Sequence, residues 1–105
     1  MLVAEQIALE VGAEIRPLLA KVRKQDPSLF DQARRAANSV VLNIAGGQGS
    51  GGGNARLRYG TAIGSAPELS AALRLAVVWG YVAEAAVQAP EARLDRVRKL
   101  LWGLR

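Results

Sequence analysis

The chain has 105 residues, half of them hydrophobic and 5% aromatic, with 14 Lys and Arg against 9 Asp and Glu and a formal charge of +5. It contains no cysteine and no histidine, which excludes disulfides, zinc centres built from these residues, and catalytic triads that need imidazole. This length fits a single domain, 1–105, and filling by alanine and leucine with few aromatics predicts an all-α fold.

The first predicted helix covers about 2–24. Its apolar residues recur at spacings of three and four: Val3, Ile7, Val11, Ile15, Leu18 and Val22. Pro17 lies inside it and predicts a kink, because proline lacks the backbone donor that a helix interior needs. We expect the glutamates of this helix to be solvated. Only if Glu5, Glu10 and Glu14 clustered with Glu84 around a hard metal ion would the chain support an enzyme, and we expect no metal, no cofactor and no catalytic residue.

The N-terminal segment carries glutamates where a signal peptide would carry lysines. No apolar run of the chain reaches the length that crosses a bilayer. We therefore expect a cytoplasmic protein with no membrane partner.

The second predicted helix covers about 27–45. It begins either with Asp26 as N-cap and Pro27 at the first helical position, or with Ser28 as N-cap and Asp31 completing a capping box. Its buried stripe is narrow and consists mostly of small residues: Ala33, Ala36, Ala37, Val40, Val41 and Ile44. On the outer side, Arg34 and Arg35 are expected to contact a phosphate, a neighbouring subunit, or only Asp31 within the same turn.

A glycine-rich stretch, 46–53, follows and predicts a flexible loop between helices. Gly47, Gly49 and Gly52 satisfy G-x-G-x-x-G, but the stretch follows a helix instead of a strand and lacks the Lys-Ser/Thr of a phosphate loop. A nucleotide site is therefore not expected. Asn54 is the predicted N-cap of the next helix, with Arg56 and Arg58 beside it.

The third predicted helix covers about 54–79, with Pro67 predicting a second kink and Gly80 predicting a glycine C-cap. Besides the stripe that faces the core, the second half of this helix has a further apolar face. One bundle core cannot bury both faces. This further face predicts an oligomer interface. Its residues are Leu75, Val78, Trp79 and Val82.

The fourth predicted helix covers about 84–104, with Pro90 breaking or restarting it near its beginning. Leu94, Val97, Leu101 and Leu104 form its apolar stripe. Its other faces carry basic residues: Arg93, Arg96, Arg98, Lys99 and Arg105. Trp102 has arginines four residues before it and three after it, Arg98 and Arg105. Such a stripe can stack on a base and contact phosphates, or anchor a protein interface, and Trp102 is therefore also a candidate residue of the oligomer interface.

Four blocks of the chain resemble a known family, in order and at compatible spacing. They are Gln32–Val40 with Asn43-Ile44-Ala45 and Gly47, then Gly64-Ser65 with Glu68-Leu69, then Gly80-Tyr81-Val82, and the closing Leu100–Leu104. These blocks resemble the bacterial four-helix bundle family also called S23 or 23S rRNA intervening-sequence proteins, which includes relatives of the accessory variability protein of diversity-generating retroelements. Members typically read Asn-Ile-Ala-Glu-Gly where this chain has Gly46 in place of the glutamate.

Helix lengths and connections together predict an up-down-up-down four-helix bundle. The resemblance implies more: a homopentameric ring that serves as a basic scaffold for nucleic acid and a reverse transcriptase.

Two functional hypotheses follow. In the first, the chain is a non-enzymatic, self-associating bundle that binds RNA, DNA or a ribonucleoprotein. Its candidate nucleic-acid contacts are Arg34, Arg35, Arg56, Arg58, Arg93, Arg96, Arg98 and Lys99. In the second, it is a protein-binding adaptor or regulatory module without nucleic-acid binding, recognising its partner through Trp79 and Trp102.

Overall fold

The computed structural model describes all 105 residues and consists of four α-helices without strands. The helices are α1 (Val3–Gln25), α2 (Pro27–Gln48), α3 (Gly52–Val78) and α4 (Glu84–Leu104). Each helix packs against two others, α1 against α2 and α4, and α3 against α2 and α4. Because the connections are short, successive helices run in opposite directions, and the predicted four-helix bundle is confirmed. No helix is sufficiently long and apolar to cross a bilayer.

A single residue, Asp26, separates α1 from α2, and of the two predicted starts of α2 the structure has the one at this residue. Asp26 Oδ1 accepts a hydrogen bond from the Leu29 backbone N–H at 3.0 Å, with Pro27 at the first helical position. Its other carboxylate oxygen accepts from the Tyr81 hydroxyl at 3.2 Å. One side chain therefore begins α2 and also binds the connection between α3 and α4.

The glycine-rich loop is shorter than predicted. Gly46 and Gly47 continue α2, Gly52 begins α3, and only 49–51 connect the two helices. The N-cap of α3 is Gly51, so the prediction of Asn54 at that position was wrong. Gly52 begins α3 with a φ of +55°, which glycine adopts without strain. α2 continues to Gln48 where α3 packs against its end and Gly47 is buried.

The α3–α4 connection confirms the glycine C-cap. Gly80 has a φ of +79°, and its N–H bonds the Val77 carbonyl while the Tyr81 N–H bonds that of Ala76. This pair of bonds is a Schellman motif. Pro90 does not break α4, which runs unbroken through it with the proline ring buried in the core.

The core consists of 24 buried hydrophobic residues drawn from all four helices. It includes most of the predicted stripes, but Val3 and Leu104 are exposed. Both lie in terminal turns at the same end of the bundle, where no further layer of side chains covers them. Between α2 and α3 the core holds one polar contact, in which the hydroxyls of Ser39 and Ser65 lie 2.7 Å apart.

Candidate nucleic-acid interface

The predicted cations of α2 are both engaged with one carboxylate. Arg34 Nη2 lies 3.0 Å from Asp31 Oδ1, and Arg35 Nη2 lies 2.9 Å from Asp31 Oδ2. Of the three contacts left open for this pair, the structure contains the one to Asp31. Exposed ion pairs of this kind are worth little, roughly 0 to 1 kcal/mol, so a phosphate can compete for either guanidinium.

Three of the four predicted cations of α4 are also paired. Arg93 joins α4 to α1, with its Nη1 donating to Glu14 Oε2 at 2.6 Å and its Nε 3.5 Å from Glu10. Arg98 and Lys99 share Asp95 at 2.6 and 2.9 Å. Hydrogen bonds from these two cations hold the pKa of Asp95 below its ordinary value.

The beginning of α3 presents cations without carboxylate partners. Neither Arg56 nor Arg58 forms an ion pair. Arg58 Nη1 makes only a long contact, 3.5 Å, to the amide oxygen of Asn43. Its guanidinium lies against Gly46, where a Cβ would be 3.3 Å from Cζ. The remaining predicted cation, Arg96 of α4, is exposed and also unpaired.

The end of α4 adds a third unpaired arginine near the start of α3. Arg56 and Arg105 line an open cleft of about 450 Å³, which exists because Gly53 and Gly60 of α3 carry no side chain. Arg58, two residues from Arg56, does not line this cleft and lies on the α2 side of α3, against Asn43 and Gly46. We call Arg56, Arg58 and Arg105, which surround this end of the bundle, the glycine-end cluster. The sequence prediction named Arg105 only as a neighbour of Trp102. The sequence feature that indicates this cleft is the spacing of seven residues between Gly53 and Gly60, which leaves two positions on one side of α3 without side chains.

The Trp102 stripe is partly closed by the chain itself. The Arg105 guanidinium lies over the indole, 4.7 Å from its centroid, in cation–π geometry. Trp102 nevertheless remains 52% exposed. A base that stacks on Trp102 must therefore use the other face of the ring or displace Arg105.

The predicted oligomer interface divides into two separate places. Leu75, Val78 and Trp79 are 43, 72 and 61% exposed near the end of α3. Trp102 lies at the opposite end of the bundle, because α4 runs antiparallel to α3. Val82 is only 8% exposed and belongs to the core, so its place in an exposed face was wrong. The reversal at Gly80 turns the chain back and directs this valine inward.

The carboxylates considered for a metal site do not come together. No group of three or more acidic side chains is placed to hold a metal ion. Glu84 pairs with Arg74, whereas Glu10 and Glu14 pair with Arg93. The charges of these three glutamates are therefore used in ion pairs, whereas Glu5 forms none.

We compared the chain with known protein families and solved structures. A model of the 23S rRNA-intervening sequence protein family matches residues 2–103. The chain belongs to this family. A crystal structure of a protein of unknown function from the S23 ribosomal protein family of Bacteroides thetaiotaomicron is similar over 97% of both chains, with a TM-score of 0.86 and 18% identity. At that identity the similarity shows the shared fold. A search of curated proteins gives no match.

Within this family member, Gly46 now has a structural context. Where the resemblance leads us to expect glutamate, the structure has a glycine in contact with the Arg58 guanidinium. A carboxylate at this position would lie within reach of Arg58. Its absence leaves the positive charge of Arg58 without a neutralising partner.

Proposed function

We propose that this protein is a non-enzymatic, self-associating helical bundle that scaffolds RNA or a ribonucleoprotein through its basic surface. The observation that carries the proposal is the glycine-end cluster, where Arg56, Arg58 and Arg105 lie at one end of the bundle without carboxylate partners. The family resemblance suggests the partner class: RNA or DNA, with a reverse-transcriptase complex as the ribonucleoprotein. A cytoplasmic location belongs to the same proposal.

Unpaired arginines suit phosphate because they need not first give up a carboxylate. Each phosphate that they neutralise releases counterions, so the affinity falls with salt by a slope of about 0.9 per contact on double-stranded DNA and about 0.7 on single strands. The paired cations Arg34, Arg35, Arg93, Arg98 and Lys99 contribute less, because a phosphate there competes with Asp31, Glu14 or Asp95.

The absence of catalysis is part of the proposal. The chain has no cysteine or histidine to act as nucleophile or imidazole base. The acidic side chains next to the bundle's cations are held in ion pairs with arginine or lysine. These features support a binding role.

An electrophoretic shift assay with RNA and with DNA at about 50 mM salt tests binding. The informative variant is Arg56→Ala combined with Arg58→Ala, and its matched control is Arg34→Ala combined with Arg35→Ala. We expect the first variant to reduce the salt slope by about 1 to 2 and the control to change it less. Absence of a shift at low salt, or equal losses in the two variants, would overturn the assignment to the glycine-end cluster.

Self-association is proposed to use the exposed face of Leu75, Val78 and Trp79, with Trp102 at the other end as a second contact. The resemblance suggests a homopentamer. Light scattering measures the stoichiometry directly. Val78→Glu with Trp79→Glu should lower the mass, whereas Leu57→Glu, an equally exposed apolar position of α3, should not. An unchanged mass in the double variant would remove this face from the interface.

The second candidate is a protein-binding adaptor that binds no nucleic acid. Its support is that five of the eight predicted cations are already ion-paired. The ultraviolet absorbance ratio of protein purified without nuclease separates the two candidates. Co-purifying RNA favours the scaffold, whereas a nucleic-acid-free oligomer that also fails the shift assay favours the adaptor.

A further inference from the structure

An open groove runs between α1 and α2 that no part of the chain covers. It consists of two adjoining clefts, of about 380 and 570 Å³, that share Gly12, Ala37 and Asn38. Small side chains cause the opening. Gly12 has none, and a Cβ built there would meet nothing within 4 Å. We call this continuous depression the α1–α2 groove.

The two halves of the groove differ in chemistry. The apolar half has no charged residue in its lining, and Leu9 and Leu42, which border it, are 45 and 65% exposed. The basic half is lined by Arg16, Arg23 and Lys24 of α1, none of which forms an ion pair. Arg34 of α2 also lines it and is paired with Asp31. No carboxylate lines either half.

We propose that the α1–α2 groove binds an amphipathic α-helix of a partner protein. Apolar side chains of that helix lie between Leu9 and Leu42, and its carboxylates lie beside Arg16, Arg23 and Lys24. Between Leu9 and Lys24, α1 rises by about 22 Å at 1.5 Å per residue, which is the length of four helical turns. The groove therefore matches a helix of about 16 residues.

The walls of the groove favour a helix over other ligands. Both walls are helices whose backbone groups are bonded internally, so an extended strand finds no sheet edge to join, whereas a helix satisfies its own backbone. The apolar half offers phosphates no positive partner, which disfavours a nucleic acid because phosphate contacts dominate its binding.

Charge disfavours a second copy of this chain as the occupant. The exposed apolar face of α3, Leu75 to Trp79, has one carboxylate one heptad before it, Glu68. The exposed apolar end of α4 is surrounded by cations instead. Between them the two faces supply only the carboxylate of Glu68 for the three free cations of the groove, so the complementary helix comes from a different, acidic protein. This inference is independent of nucleic-acid binding.

The test is a selection from a displayed library of random peptides of about 16 residues, with the full chain as bait. We expect enriched peptides to carry apolar residues at i, i+3 or i+4, and i+7, with Asp and Glu near one end. Enriched peptides are then synthesised, and their binding is measured by fluorescence anisotropy. No enrichment, or enrichment of sequences without acidic residues, overturns the proposal.

Two helical glycines with open space around them provide a matched pair of variants. Gly12→Phe fills the middle of the groove, whereas Gly64→Phe adds the same ring on α3, also where nothing lies within 4 Å. We expect the first to weaken peptide binding at least about tenfold and the second to leave it unchanged. Circular dichroism verifies that both are folded. Equal binding by the two variants places the peptide elsewhere and refutes the groove.

The charge of the basic half is tested separately. Arg16→Glu with Arg23→Glu should weaken the acidic peptide by about tenfold or more, and Arg96→Glu, an unpaired cation of α4, should not. If the groove variants instead lower the oligomeric mass of the peptide-free protein, the occupant is a second copy. If they abolish RNA binding while leaving peptide binding intact, the groove is a nucleic-acid site. Both results contradict the proposal.

Discussion

Replacing Gly47 with alanine measures how closely α2 and α3 approach. Gly47 is buried, and a Cβ on it would lie 2.5 Å from Tyr59 Cε1 and 2.8 Å from Cδ1. These atoms belong to a ring that is only 8% exposed and packed in the core, so the ring cannot simply swing away. The added methyl group must push the helices apart or force Tyr59 off its preferred rotamer.

Two opposing effects set the magnitude. Overpacking a core costs about 1 to 3 kcal/mol, whereas replacing a helical glycine by alanine returns about 0.5 to 1 kcal/mol. We expect Gly47→Ala to lower the free energy of unfolding by about 1 to 2 kcal/mol, a fall of about 5 to 10 °C in Tm for a domain of this size. The adjacent glycine should behave oppositely. In Gly46→Ala the Cβ meets only the mobile end of Arg58, so stability should stay constant or rise slightly.

Urea unfolding followed by far-ultraviolet circular dichroism, at one fixed protein concentration, provides the measurement. Repeating Gly47→Ala in a Tyr59→Leu background completes a double-mutant cycle. With the ring removed, the alanine should no longer destabilise. A Gly47→Ala protein as stable as the wild type, or a penalty that persists without the ring, would refute this account of the contact.

Three further outcomes are expected. Gly46→Glu should neutralise Arg58 and lower RNA affinity, with a salt slope reduced by about 0.7 to 0.9, whereas Gly46→Gln should not; equal effects would contradict a charge mechanism. Burial first, and then donation to Asp26, raises the pKa of the Tyr81 hydroxyl. Its contribution to stability is thus complete below the ordinary tyrosine pKa and is lost as pH rises through the higher folded value. Asp26→Asn, which keeps an N-cap, should lower the Tyr81 pKa only in part, as read from the Cζ chemical shift. Because the pKa of Asp95 is lowered, its ion pairs contribute fully to stability at pH values above the ordinary aspartate pKa. That contribution is lost as pH falls through the lower folded value, and its persistence in Asp95→Asn would count against the ion pairs.

Periodicity predicted the helices and most of the core because buried positions repeat with the helical period. Ile15, Val40 and Val97 are all buried where the stripes placed them. The end of α2 could not be predicted in this way. Glycines carry no side chain to mark a face, and the helix continues there because Tyr59 of α3 packs against it.

The candidate site was predictable only where the deciding contact is local. The pairing of Arg34 with Asp31 follows from a spacing of three, and the sequence already allowed it. Arg93 contacts Glu14, which is 79 residues away in the sequence, and no local pattern predicts that contact. Free and neutralised arginines therefore look alike in the sequence, although only the free ones make the glycine-end cluster.

The two ends of the bundle differ in how firmly they are closed, and hydrogen exchange should report that difference. At one end the Asp26 carboxylate binds both neighbouring connections. At the other, three small residues, 49–51, join α2 to an α3 that has no side-chain cap. The free energy of local opening should therefore be lowest at the glycine connection and higher at the end that Asp26 holds. We expect amide protection to be weakest at the start of α3 and stronger near Leu29. The arginines beside the glycine connection thus lie on the part of the molecule that opens most readily.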